Sequence, residues 1–254
     1  MDLDPDLTAL RPLGGFFALR TSAPPLPPLP TLAQAYENFE NFGNFENKAS
    51  DPYRYSMTFR VEKVADVLRA PETRIAASVA QQGLAARLWS VALGCAAFYD
   101  RIPDLDPGLL HWDPDGSAPD DLWLSAVHPL PADPETLADV VLQGHLQPLT
   151  DTLHARYRVA EGLLWGNAAS ALVGAARQLD AWARAHGRRD VGARARDSAA
   201  ELLAHPLLAG TGTLTGTAFR RRSCCLYYRV PGGGVCGDCC FPRAPRSSPH
   251  ATSG

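Results

Sequence analysis

Five of the six cysteines crowd into RRSCCLYYRVPGGGVCGDCC, residues 221–240. Cys224 and Cys225 are adjacent, ten residues follow, then Cys236, two residues, and Cys239, with Cys240 next to it. Thiolates gathered in this way bind soft or borderline metals or exchange electrons. In a chain that reads as cytosolic, the clustering points to a metal or redox site before a disulfide framework, and an odd number of cysteines fits pairing poorly. Cys236 and Cys239 form a Cys-x-x-Cys half-site suited to structural zinc, but the other half is an adjacent pair whose side chains tend to diverge. A binuclear iron-sulfur centre accommodates irregular spacing more readily. Spacing alone therefore ranks an iron-sulfur cluster first, zinc second and a thiol redox pair third.

The neighbours of the cysteines fit this chemistry. Gly232, Gly233, Gly234 and Gly237 let backbone approach closely and aim N–H groups at sulfur. Arg220, Arg221, Arg222 and Arg229 favour thiolates and are candidates to meet an anionic substrate or an acidic electron donor, although a solvated basic patch explains them equally well. Cys95 lies in a periodic apolar stripe and reads as a small core residue.

The rest of the chain must position this stretch. At 254 residues, 46% hydrophobic and a formal net charge of −3, it describes an ordinary globular protein and not a basic nucleic-acid binder. The start, MDLDPDLTAL, is acidic where a secretory signal would be basic. The longest apolar stretch carries Gln81, Gln82 and Arg87, too polar for a membrane span. The expectation is a cytoplasmic protein that could touch the inner membrane peripherally through a partner.

Four regions follow. Residues 1–58 hold the proline run SAPPLPPLP and a repeat with Phe39, Phe42 and Phe45 at three-residue spacing, which reads as a short triplet expansion or a contact surface. Residues 59–209 form a mainly helical body. Val61, Val64, Ala65 and Leu68 predict one helix ending before Pro71, and Leu84, Leu88, Val91, Cys95 and Phe98 a second. Pro134 starts a third, signals continue through Leu149, Leu153 and Tyr157, a long helix closes on Gly187, and the last ends before Pro206. Within the body, 109–127 predicts a β-hairpin. Residues 210–241 form the cysteine module and 242–254 a disordered tail. The fold class is mainly α with a small β component, α+β.

FRRRSCCLYYRVPGGGVCGDCC resembles the C-terminal signature of the FhuF-like ferric siderophore reductases, Cys-Cys, ten residues, Cys, two residues, Cys. RIAASVAQQGLAARLWSVALGCAA and LLWGNAASALVGAARQL are similar to the helical body of actinobacterial members, so the likeness covers most of 60–240. It implies a 2Fe-2S cluster on Cys224, Cys225, Cys236 and Cys239, with Cys240 outside the motif. It further implies reduction of ferric iron in a siderophore, with release of ferrous iron. A non-enzymatic siderophore-binding protein with structural zinc at the same cysteines is the alternative.

No other chemistry competes. GTGTLTGT at 210–217 gives G-x-G-x-x-x-G, not a dinucleotide fingerprint. Electrons should therefore come from a separate protein, a ferredoxin or a flavin-dependent reductase. His111, His128, His145, His154, His186, His205 and His250 show no metal-ligand spacing and read as surface or capping residues. G-x-S-x-G and P-loop sequences are absent from the chain.

Overall fold

The computed structural model describes residues 3–21, 29–37 and 56–245. Phe39, Phe42 and Phe45, most of the proline run and the end of the tail lie outside the described residues. Two 3-10 turns, Thr8–Leu13 and Gly15–Phe17, bury Leu10, Leu13 and Phe17. Helix α1, Leu32–Tyr36, begins at a capping box in which the Gln34 N–H donates to Thr31 Oγ1 and the Thr31 N–H to Gln34 Oε1.

Helix α2, Ser56–Leu68, contains the expected periodic run and buries Val61. Helix α3, Thr73–Tyr99, is buried on almost every side from Leu84 onward, which makes it the central element. It ends where Asp100 turns left-handed, at φ 58°. Cys95 lies fully buried in it, as read from the apolar stripe.

Strands β1, Arg101–Pro103, β2, Leu110–Trp112, β3, Leu122–Leu124, and β4, Pro129–Pro131, make two small antiparallel ladders, β1 with β4 and β2 with β3. The hairpin expected at 109–127 is β2–β3, with Leu110 opposite Leu124 and Trp112 opposite Leu122. Helix α4, Pro134–Leu137, is capped by Asp133, whose carboxylate accepts the Thr136 N–H at 2.9 Å. A π-helical stretch, Ala138–Leu146, leads into α5, Gln147–Tyr157.

Helix α6, Glu161–Ala185, lies along α3, and its run of Gly166, Ala168, Ala169, Ala171, Ala175 and Ala176 lets the two approach closely. Helix α7, Arg189–Leu203, packs on α6 and α3, and the turn before it passes through Gly187 at φ 69°. The observed class is α+β, a helical body followed by a cysteine-bearing region. Among the described residues, no helix is long and apolar enough to cross a membrane.

One expectation about the histidines needs correction. His145 is neither at the surface nor a cap. It is fully buried, with Nδ1 2.9 Å from the Tyr36 hydroxyl and Nε2 2.6 Å from the Leu105 carbonyl. Because a carbonyl can only accept, Nε2 carries the proton and Nδ1 accepts from the Tyr36 hydroxyl. Burial pushes the His145 pKa down to about 4.

Candidate metal centre

The module begins as a hairpin, β5, Gly212–Thr215, paired antiparallel with β6, Ala218–Arg221. Side chains alternate along a strand, so Phe219 and Arg221 face inward while Ala218 and Arg220 face out. After β6 the chain passes Ser223, Cys224 and Cys225 and reaches Leu226, which is left-handed at φ 68° and leads into a 3-10 turn, Tyr227–Arg229. That conformation costs a branched residue about 1 kcal/mol. It lets the Leu226 N–H fold back onto Cys224 Sγ at 3.3 Å. The chain then reverses through the glycines. A Cβ on Gly233 would stand 2.4 Å from the Tyr227 carbonyl oxygen, so no larger residue fits there without a shift.

This path brings all five cysteines together. The Sγ atoms of Cys224, Cys239 and Cys240 lie within 4.8 Å of one another, and those of Cys225 and Cys236 are 3.8 Å apart. Two of the thiols accept an N–H from two residues ahead, Cys224 from Leu226 at 3.3 Å and Cys239 from Phe241 at 3.4 Å. Cys225 is buried and the other four are partly exposed.

Packed thiols compete for ionisation. The Cys225 thiol holds Cys224 below the usual thiol range, while Cys225 is pushed up first by Cys224, and Cys236 first by Cys225. Burial pushes Cys240 up. Like charges this close ionise together only around a shared cation.

The module is fixed to the body by buried polar groups. Ser78 of α3 donates from Oγ to the Cys225 carbonyl at 2.9 Å, and Asn167 of α6 donates to the Ser78 carbonyl and Oγ, each at 3.0 Å. Asp238, also buried, accepts from Ser170 Oγ at 2.6 Å and from both Arg177 terminal nitrogens at 2.7 and 3.0 Å. Gly166 leaves room for Ser223, whose Oγ would lie 2.4 Å from a Cβ there. Arg229 pairs with Glu72 at 2.6 Å, beside the start of α3.

A cleft of about 320 Å³ opens between α3, α6 and the Cys236–Gly237–Asp238 corner, walled by Phe16, Gln82, Ala86 and Ser90 on one side and Ser170, Gly174, Arg177 and Gln178 on the other. The four arginines singled out from the sequence are absent from its walls. Arg220 is exposed and donates to the Cys240 carbonyl at 3.1 Å, and Arg222 is exposed. Arg221 is buried, because the strand alternation of β6 turns it inward. Arg177, which does wall the cleft, was missed, because only the tertiary fold brings α6 to Cys236.

Residues 75–215, more than half of the chain, match the family model described as ferric iron reductase FhuF-like transporter. The chain belongs to the FhuF-like family. Residues 221–241 match the FhuF 2Fe-2S C-terminal domain, which gives the cofactor as a 2Fe-2S cluster. No curated protein matches the chain. The donor set suits the cofactor: crowded thiols supply the ligands, and backbone N–H groups on Cys224 and Cys239 stabilise thiolate charge.

Proposed function

We propose that this FhuF-like protein reduces ferric iron held in a siderophore, in the cytoplasm, with Cys224, Cys225, Cys236 and Cys239 as the ligands of its cluster. The observation that carries the ligand set is the match of residues 221–241 to the 2Fe-2S C-terminal domain, over a stretch in which Cys225 and Cys236 lie 3.8 Å apart at sulfur and Cys224 and Cys239 within 4.8 Å. Cys225 and Cys236 on one side and Cys224 and Cys239 on the other would hold the cluster by their thiolates. When bound, the cluster supplies a store for one electron at a time.

The residues of the chain then divide the work. Cys236 lies at the cleft, so a chelate seated between α3 and α6 would reach the cysteine module without passing through the core. Gln82, Ser90 and Gln178 offer the chelate hydrogen bonds, and Phe16, exposed at its edge, offers an apolar face. Ferric iron gains one electron and becomes ferrous, which hard oxygen ligands hold less tightly. A separate donor, a ferredoxin or a flavin-dependent reductase, loses one electron. Exposed Tyr227 and Val235, with exposed Arg220 and Arg222 in the same module and Arg243 just after it, favour docking of an acidic donor protein.

Anaerobic purification with iron, sulfide and zinc analysis, visible absorption and reduced-state EPR tests the reading, followed by turnover with ferric hydroxamate and catecholate chelates and a ferrous-specific dye. Two irons and two sulfides per chain with chelate reduction are expected. Stoichiometric zinc without colour, or a cluster with no ferrous product, would refute it.

A further inference from the structure

Arg221 is 2% exposed, and the inward phase of β6 puts it there. Its guanidinium lies in the gap left by Gly166, where a Cβ would come within 3.6 Å of Nη2 and 3.7 Å of Nε. Nη2 donates to Asn167 Oδ1. Asn167 in turn donates to Ser78, and Ser78 to the Cys225 carbonyl, so one buried relay joins the guanidinium to the cysteine backbone.

The other two nitrogens, Nε and Nη1, have no acceptor among the described residues. A buried cation left in that state costs several kcal/mol. The nearest buried carboxylate does not relieve it, because Asp238 is already held by Ser170 and both terminal nitrogens of Arg177. Only the backbone of Asp238 serves Arg221, its carbonyl accepting the Arg221 N–H at 3.0 Å. What remains within reach of the charge is the cysteine module, joined to it through Asn167, Ser78 and the Cys225 carbonyl.

We propose that Arg221 is a positioning residue of the metal centre, a fixed buried charge whose unpaired donors compensate the negative cluster and its thiolates and thereby raise the reduction potential. The inference rests on the cluster assignment above. Electron uptake adds one negative charge to the centre, taken from a reductant that loses one electron, with no proton moved. A fixed positive charge favours that reduced state, and burial spares it from solvent screening. The exposed neighbour Arg220 has the same charge without that shelter.

The test is an EPR-monitored dithionite titration of wild type, R221M, R221K and R220M at matched iron and sulfide content. R221M is expected to lower the equilibrium constant for electron uptake at least about tenfold, about 59 mV for one electron. R221K, which keeps the charge, should recover more than half of that shift, and R220M should move it far less. A fully loaded R221M with the wild-type potential overturns the inference. If R221M takes up no cluster, R221K decides: loading restored by lysine supports compensation by charge, and equal loss in both variants overturns it. A wild-type protein lacking iron and sulfide would instead refute the function proposed above, before any variant is compared.

Discussion

Two arginines are buried in the fold, and they are treated differently. Arg87 of α3 gives Nε to Asp121 at 2.9 Å and its terminal nitrogens to the Phe16 and Ala18 carbonyls. It ties the N-terminal turns and the β2–β3 loop to the central helix, and each of its three nitrogens has an acceptor within the chain. Arg221 has one side-chain partner and, among the described residues, two nitrogens without an acceptor, in the module that carries the clustered thiols. The same side chain is thus a structural clamp where its partners are built into the chain, and a marker of external negative charge where they are not.

The contrast can be broken first at the thiols. Cys236→Ser should abolish both the cluster and ferric reduction; full reductase activity in that variant would remove the basis for the Arg221 argument. The arginines themselves come next. R87M leaves Asp121 buried without its cation and should cost about 3–5 kcal/mol of stability by urea unfolding, with no change in the potential of the folded fraction. R221M in metal-free protein should do the opposite and stabilise by about 1 kcal/mol or more, since it deletes an uncompensated charge. Equal destabilisation by both would erase the distinction.

A third buried cation-former, His145, sharpens it by pH. Its folded pKa is about 4, against 6.5 for the free side chain, so the unfolded chain binds more protons between those values. Its contribution is complete above pH 6.5 and declines as pH falls toward 4, by up to about 3 kcal/mol. Unfolding curves at pH 7 and 4.5 should show that decline, and H145Q should flatten it. The smallest effect belongs to Cys240→Ser, which should keep iron content and turnover near wild type; loss of the cluster there would move the ligand set.

Much of this was legible in the residues. The spacing of Cys224, Cys225, Cys236 and Cys239 brought out the chemistry, and apolar periodicity located α2, α3 and the helices after Pro134, because each buries a continuous stripe. The hairpin at β2–β3 followed from two short aromatic runs around a turn. The inward Arg221 was less visible, hidden in a run of three arginines that reads as a basic patch. Its signal is the alternation Ala218, Phe219, Arg220, Arg221, in which Phe219 sets the buried phase. His145 was hidden for another reason: its partners Tyr36 and Leu105 are remote in sequence, and local pattern carries no trace of them. The cleft likewise depends on α3 and α6 meeting the module.

The clasp on Asp238 bears on what the loss of a thiol would do. Ser170, Arg177 and the backbone of Arg221 hold the Cys236–Cys239 turn against α6 using groups of this chain alone. The turn is therefore anchored by groups other than its thiols, and four of the five clustered cysteines are partly exposed. Shape and chemistry are carried by different side chains, so replacing a thiol should remove the chemistry and leave the turn where it is.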